Sequence, residues 1–308
     1  MFSYTLDNKR YHTLNYHLIQ TFGEKAYKAV IDAGFSCPNI DGKVSFGGCA
    51  YCLSGASEFT NDSRFSITEQ LKKEKERISQ KHENPKLIAY FQAHSNTYSD
   101  VKTLRAKYDE ELNFPDVVGL SIATRPDCID EEITQLLSEY NEKTYLTIEL
   151  GLQTVNDETA KEFNRGYTYE TFLSAYNMLK AKNIRVCVHI INGLMNETKD
   201  DMINTAKTVG KLKPDAVKIH LLHILRGTSY EKEYEDGKLI SMTKDAYIDT
   251  VIRQLEYLPE TTVIERITGD GSKENLVAPL WSLDKISVLG GIDKEMNMRN
   301  TYQGILFT

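Results

Sequence analysis

Long apolar runs are missing from this chain. No stretch approaches the roughly 18 consecutive apolar residues that a membrane helix needs, so no span is expected. The start, Met1-Phe2-Ser3-Tyr4-Thr5, lacks the charged segment and apolar stretch of an export signal, which makes the cytoplasm the expected location. Glycine and proline are modest and no internal repeat occurs, which excludes collagen-like, low-complexity and solenoid chains. Cysteines number only five, an odd count, so without an export signal a disulfide framework is not expected. Positive charge is also short. The net charge of -7 gives no general attraction to nucleic acid, so any RNA contact has to be regional. What remains is a globular composition, 41% hydrophobic and 26% charged, over 308 residues, enough for one barrel-sized domain or two ordinary ones.

Short apolar runs alternate with amphipathic helical patterns. Strands are expected at 28–35, 87–92, 117–123, 146–152, 185–191 and 216–222. Between them, Ser66-x-x-Glu69 opens a helix as a capping box, with Ile67, Leu71 and Ile78 on one face. Further helices follow from about Asp130, Thr168 and Thr198. Six strands alternating with helices imply parallel βαβ units with right-handed crossovers. Polar residues at alternate strand positions fit a filled barrel lumen better than a flat sheet. After Leu239 the pattern changes: a helix over 243–258 stopped by Pro259, a short strand at 262–267, then a tail with Trp281, Lys285 and a Gly290-Gly291 turn. The expected organisation is an N-terminal arm (1–27), a barrel (28–239) and an α/β extension packed on it (240–308).

Chemistry concentrates in one loop, Cys37-Pro-Asn-Ile-Asp-Gly-Lys-Val-Ser-Phe-Gly-Gly-Cys49-Ala-Tyr-Cys52. Three thiolates can hold three irons of a four-iron cluster and leave the fourth iron open to a small molecule. The loop is glycine-rich and follows the first strand, where barrel enzymes place their chemistry. The bland alternative is structural zinc, which wants four ligands; His94 or Cys128 could supply the fourth from a distance.

The loop resembles that of the radical-SAM superfamily, with Tyr51 in the aromatic place before the last cysteine and a first gap wider than the commonest three residues. Such a gap is a feature of the branch that contains the catalytic subunit of Elongator. The motifs GFSCPN, GGCAYC, YFQ with NTY, ATRPDC, ELGLQT, NRGYT, HIINGLMNET, KIHLLHILRGT, ITGDG and QG follow in order over nearly the whole chain, at strand ends. Together they are similar to bacterial YhcC/YtqA-type (MnmL-type) proteins. The resemblance implies a partial (β/α)6 TIM-like barrel and a 4Fe-4S cluster on Cys37, Cys49 and Cys52. It also implies S-adenosylmethionine (SAM) at the open iron, cleaved by one electron to methionine and a 5′-deoxyadenosyl radical. An electron donor such as flavodoxin or ferredoxin goes with that chemistry. For substrate it implies the wobble uridine of tRNA, with a 5-carboxymethylaminomethyl side chain converted to 5-aminomethyl. The stretch after Leu239 is too short for an acetyltransferase half, so acetyl transfer is not expected. A small metabolite or a protein substrate, and a zinc-stabilised binding barrel, are the rival readings.

Around the loop, the resemblance assigns SAM contacts to Tyr51, Gln92, Asn96, Glu149, Gln153 and Arg165. Glu149, Gly151 and Gln153 share one strand face. Glu149 either meets the ligand or pairs internally with a cation such as Lys218. Arg125 and Arg165 could each pair with a carboxylate. His189, Lys218 and His220 face the lumen without an assigned proton-transfer role. Cys187 reads as core and Cys128 as inert near the mouth. The Lys72–Arg77 run alternates with glutamates, as a solvated helix face does. The arm segment Lys9, Arg10, Tyr11, His12, Tyr16 and His17 mixes bases with aromatics, as a tRNA clamp beside the mouth or as a surface arm over the barrel end.

Overall fold

The computed structural model describes residues 2–53, 62–269 and 273–308. The elements are α1 (Leu14–Phe22), β1 (Ala26–Ile31), α2 (Ile67–Ser79), β2 (Lys86–Phe91), α3 (Val101–Leu112), β3 (Val117–Thr124), α4 (Glu131–Asn141) and β4 (Tyr145–Gln153). Then come α5 (Asp157–Glu162), α6 (Tyr169–Ala181), β5 (Arg185–Asn192), α7 (Lys199–Leu212), β6 (Ala216–Leu221), β7 (Ile224–Leu225) and α8 (Ser229–Glu235). The last are α9 (Lys244–Tyr257), β8 (Val263–Arg266), β9 (Leu276–Ala278) and α10 (Lys285–Met298). Among the described residues the main sheet has seven strands in the order β1-β2-β3-β4-β5-β6-β8. Every pairing in it is parallel.

Side-chain parity builds the barrel. On β4, Leu146, Ile148, Leu150 and Leu152 join the core under the helices, while Thr147, Glu149 and Gln153 turn the other way. On β6, Val217, Ile219 and Leu221 pack outward against the helices, and Lys218 and His220 face in. The capping box at Ser66 is present, and Asp100, Asp130, Thr168 and Thr198 cap their helices in turn. Lys72, Lys73 and Arg77 stand in solvent on α2, as expected.

Two expectations change. The first strand stops at Ile31 rather than Phe35. Asp32 Oδ1 accepts the Gly34 N–H at 2.8 Å, and Gln70 bonds both the N–H and the carbonyl of Asp32, so this backbone leaves the ladder. The strand expected in the C-terminal extension is β8, which pairs with β6 and makes a seventh strand of the sheet. The ITGDG segment follows it, though Asp270 and Gly271 lie outside the described residues.

The N-terminal arm is pinned beneath the barrel, away from the mouth. Leu18 on α1 packs with Ala26, Ile88, Val118 and Tyr145, which all stand at strand beginnings. The His12 carbonyl accepts the Ile264 N–H at 2.8 Å, and Thr13 bridges Ile264. Lys9 pairs with Asp293, and Arg10 donates to Asn297 at 2.9 Å and to Asn300 and the Thr301 carbonyl at 3.2 Å. Tyr11 is buried, and the His17 ring meets the Tyr145 hydroxyl at 2.9 Å. Of the two readings of this segment, the structure fits the arm over the barrel end, at the end opposite the mouth, and not the clamp beside the mouth. The arm's bases serve the C-terminal helix because an acidic residue and helix-end carbonyls wait there.

The variant Lys9→Glu with Arg10→Glu should therefore lose stability. Partly exposed pairs are worth about 0–1 kcal/mol each, and the reversal also sets a new carboxylate against Asp293. A loss of about 1–2 kcal/mol is expected in urea titration. An unchanged midpoint would dismiss the arm contacts as ornamental.

Candidate active site

A cavity of about 460 Å³ opens at the C-terminal ends of the strands. Cys37, Cys49 and Cys52 all line it, together with Tyr51, Gln92, His94, Arg125, Gln153 and Tyr167. Gly47 and Gly48 take φ of 81° and 80°, a left-handed pair that turns the chain into Cys49 and that side chains resist. The Cys37 carbonyl accepts the N–H of Ile40 at 2.8 Å and of Asp41 at 3.1 Å. The loop then docks on the segment after β4. Asn164 Nδ2 donates to the Gly48 carbonyl at 2.9 Å, and Asn39 Nδ2 returns a bond to the Asn164 carbonyl at 2.6 Å. A Cβ at Gly166 would stand 2.7 Å from Val44 and 2.8 Å from Asn39, so the NRG turn is shaped to receive the cysteine loop.

The thiols fit a cluster in chemistry. A hydrogen bond from Cys52 and the field of Arg125 bring Cys49 down to about 7, against its burial. The same hydrogen bond and burial push Cys52 up. Asn39 Nδ2 also lies 3.6 Å from Cys49 Sγ, a donor of the kind that tunes cluster sulfurs. Among the described residues, no three His, Cys, Asp or Glu side chains are gathered as one metal ion would need. Cys128 is buried outside the cavity lining, its thiol pushed up to about 12 by that burial, and Cys187 is fully buried in the core.

The expected SAM contacts divide. Tyr51, Gln92 and Gln153 line the cavity. Gln153 sits at φ 64°, and its Oε1 accepts the Tyr167 hydroxyl at 3.0 Å. Asn96 and Arg165 do not line it. Asn96 is fully buried and spends its Nδ2 on the carbonyls of Phe91, Ala93 and Ala123. Arg165, also fully buried, clamps the carbonyls of Leu152, Thr154 and Tyr167 and pairs with Asp157. In this structure the donors of both serve as backbone clamps, because buried donors go first to carbonyls that nothing else satisfies. Near the thiols the guanidinium at the cavity is that of Arg125, stacked 4.8 Å over Tyr167 and bonded to Asp127 at 2.7 and 2.9 Å.

For Glu149 the internal pairing is what the structure shows. Its Oε1 accepts from Lys28 at 2.5 Å and Ser121 at 2.7 Å. Its Oε2 accepts from Tyr90 at 2.8 Å, from His189 at 2.7 Å and from Lys218. Five donors fill both oxygens, which leaves SAM no acceptor there. Burial opposes ionisation, yet Lys218 and Lys28 outweigh it and hold the carboxyl well below the usual carboxylate range. Lys28 also meets Glu265 at 2.6 Å. Sequence reasoning missed Lys28, Tyr90, Glu265, Tyr167, His223 and Arg266. Parity was the signal that could have found Lys28, a cation amid an apolar run; β8 had to be placed in the sheet before Glu265 and Arg266 meant anything.

Removing Glu149 leaves Lys28 and Lys218 to share Glu265, with one buried cation uncompensated, so Glu149→Ala should cost about 3–5 kcal/mol in chemical denaturation at pH 7. Because the folded carboxyl is depressed, its contribution is fully present above the unfolded value of about 4.3. It is lost as pH falls through the folded value, so the gap between wild type and variant should narrow in strong acid. Equal stabilities at neutral pH would break this account. Separately, Cys37→Ala, Cys49→Ala and Cys52→Ala should each lose bound iron and visible absorbance after anaerobic reconstitution, while Cys187→Ala keeps both. Full iron content in the Cys37 variant would exclude that ligand.

Comparison with known proteins agrees with this geometry. The Radical SAM superfamily model matches residues 45–209, and the Radical_SAM C-terminal domain matches 214–298. The chain is 47% identical over 307 residues to YtqA of Bacillus subtilis, covering 99% of this chain and 95% of that protein. It is 27% identical over 171 residues to Elongator complex protein 3 of Schizosaccharomyces pombe, covering 53% of this chain and 31% of that one. The fold is similar to that of the archaeal Methanocaldococcus infernus Elp3, with a TM-score of 0.67 and 17% identity over 78% of this chain and 61% of that one. These matches set aside the zinc-stabilised binding barrel, and no helix among the described residues is long and apolar enough to cross a membrane. The chain belongs to the radical SAM superfamily, in its YtqA-type family, and is an enzyme whose cofactors are a 4Fe-4S cluster and SAM.

Proposed function

We propose that this enzyme modifies the side chain of a wobble uridine in tRNA, converting 5-carboxymethylaminomethyl-uridine to 5-aminomethyl-uridine. The observation that carries the reading is a cavity that runs on past the thiols. Beyond Gln153 it is walled by His189, His220, His223 and Arg266, polar groups suited to one inserted base. The likeness to Elongator complex protein 3, confined to about half of this chain, supports an RNA substrate. When bound, the cluster and SAM supply a 5′-deoxyadenosyl radical for hydrogen abstraction.

In this reading Cys37, Cys49 and Cys52 hold the cluster. Tyr51, Gln92, Gln153 and Arg125 surround SAM, and the barrel wall excludes water from the reacting groups. The arm lies at the wrong end for RNA, so the contact falls to the rim of the mouth. A flavodoxin or ferredoxin delivers the electron from the same side.

The test is mass spectrometry of tRNA nucleosides from cells with and without the gene. Loss of the gene should raise 5-carboxymethylaminomethyl-uridine and remove 5-aminomethyl-uridine with its downstream products. Identical nucleoside profiles would refute the reading.

A further inference from the structure

We propose that His189 reads the substrate base: its Nδ1 accepts the N3–H of the uracil drawn into the cavity, and so separates uridine from cytidine and from bases substituted at N3. The proposal rests on the wobble-uridine reading for the identity of that base.

The proton on this imidazole is placed by its neighbour. His189 Nε2 lies 2.7 Å from Glu149 Oε2. Lys218 and Lys28 hold that carboxyl ionised, and a carboxylate only accepts. Nε2 therefore carries the hydrogen. Burial first, and Lys218 with it, outweigh Glu149 and Glu265 and lower the proton affinity of the ring. His189 is thus neutral, and its Nδ1 is a lone-pair acceptor. Among the described residues nothing bonds to that nitrogen, and the ring lines the cavity.

The strands set the depth of this acceptor. Ile191, two residues nearer the mouth on the same face of β5, also lines the cavity, so His189 lies within it and not at its rim. In the sheet His189 stands between Gly151 on β4 and Lys218 on β6. Gly151 puts no side chain across the imidazole. In place of one, the Gln153 amide and the Tyr167 hydroxyl come down over β4: a Cβ at Gly151 would stand 2.7 Å from Gln153 Nε2 and 3.3 Å from that hydroxyl. Gln153 is among the groups assigned to SAM. The acceptor therefore sits where the SAM part of the cavity meets the ion cluster below it.

Charge selects the donor. A 5-carboxymethylaminomethyl-uridine offers two kinds of N–H from its base, the neutral N3–H of the ring and the ammonium of the side chain. An ammonium at Nδ1 would put positive charge where a proton on Nδ1 would put it. Burial and Lys218 oppose that proton, and they oppose the ammonium by the same means. Below, the lysines Lys28 and Lys218 are already matched by the carboxylates of Glu149 and Glu265. The His220 ring, centred 5.0 Å from that of His189, is kept well below its usual proton affinity, by burial first. A neutral acceptor in balanced surroundings takes a neutral donor. The uracil ring has one, N3–H, because N1 is bonded to ribose. Cytosine carries a lone pair at N3 and would meet Nδ1 acceptor to acceptor.

The experiment measures binding to the enzyme reconstituted with cluster and SAM. Two anticodon stem-loops bearing 5-carboxymethylaminomethyl-uridine are compared, one with N3–H and one methylated at N3. The nucleosides uridine, 3-methyluridine and cytidine are titrated in parallel. Wild type should prefer the N3–H ligand of each set by about ten- to a hundredfold. His189→Gln keeps a donor within reach of Glu149 but has no acceptor at the place of Nδ1, so it should erase the preference. His189→Asn sets an amide oxygen near that place and should keep part of it. Melting curves show that each variant folds. Binding of uridine that depends on N3–H and on His189, without binding of either stem-loop, would uphold the contact and remove the tRNA reading. Full preference in folded His189→Gln, the result of a methyl merely too bulky for the cavity, would overturn the contact and leave the tRNA reading to its own test. Equal binding of the N3–H and N3-methyl ligands by wild type would do the same. Binding of no ligand at all would overturn both.

Discussion

The ion cluster around Glu149 is the constraint on which the barrel is arranged. A carboxylate from β4 is taken out of water and repaid by lysines from β1 and β6, an imidazole from β5 and a phenol from β2. Each strand must hold its register for its donor to arrive, since a slip by one residue would turn the donor into the apolar layer under the helices. The cluster thus fixes the strands relative to one another on the lumen side while Leu, Ile and Val packing fixes them on the outside. With its charges balanced internally, it forms a rigid floor, and the cavity above it can be specialised without unsettling the fold.

Much of this was legible in the residues. The strands announced themselves because a parallel sheet covered by helices reads as apolar runs, and the polar residues inside those runs marked the lumen. The cysteine loop was legible because three thiols at that spacing have few other uses. Other features were not legible. Asn96 and Arg165 sit in motifs that look like ligand contacts, but the carbonyls they satisfy become orphaned only when the chain is folded. Lys9 and Arg10 look like a nucleic-acid arm because their partners, Asp293 and Asn297, lie almost the whole chain away. The place of β8 depended on a pairing with β6 that no local pattern encodes.

The cysteine loop shows how the widened first gap is used. Residues between Cys37 and Cys49 make turns of their own, and the Asp41–Phe46 bridge closes a small hairpin. The paired left-handed glycines then return the chain toward the NRG turn. The cysteine loop is consequently anchored to the turn after α5 as well as to the end of β1, which ties the ligand loop to the cavity wall.

The sheet ends at β1 and at β8, and among the described residues no backbone ladder joins them. What spans the gap is the side-chain bond from Lys28 to Glu265 and, beneath the barrel, the arm, whose Thr13 bridges Ile264 while Leu18 packs on Ala26. A closed barrel could be widened only by shearing whole rows of amide bonds. Here one seam is laced by side chains, so a change of girth at that seam would leave every row of amides intact. In a wall of this build the β1–β8 seam is the one line held by side chains in place of a backbone ladder among the described residues.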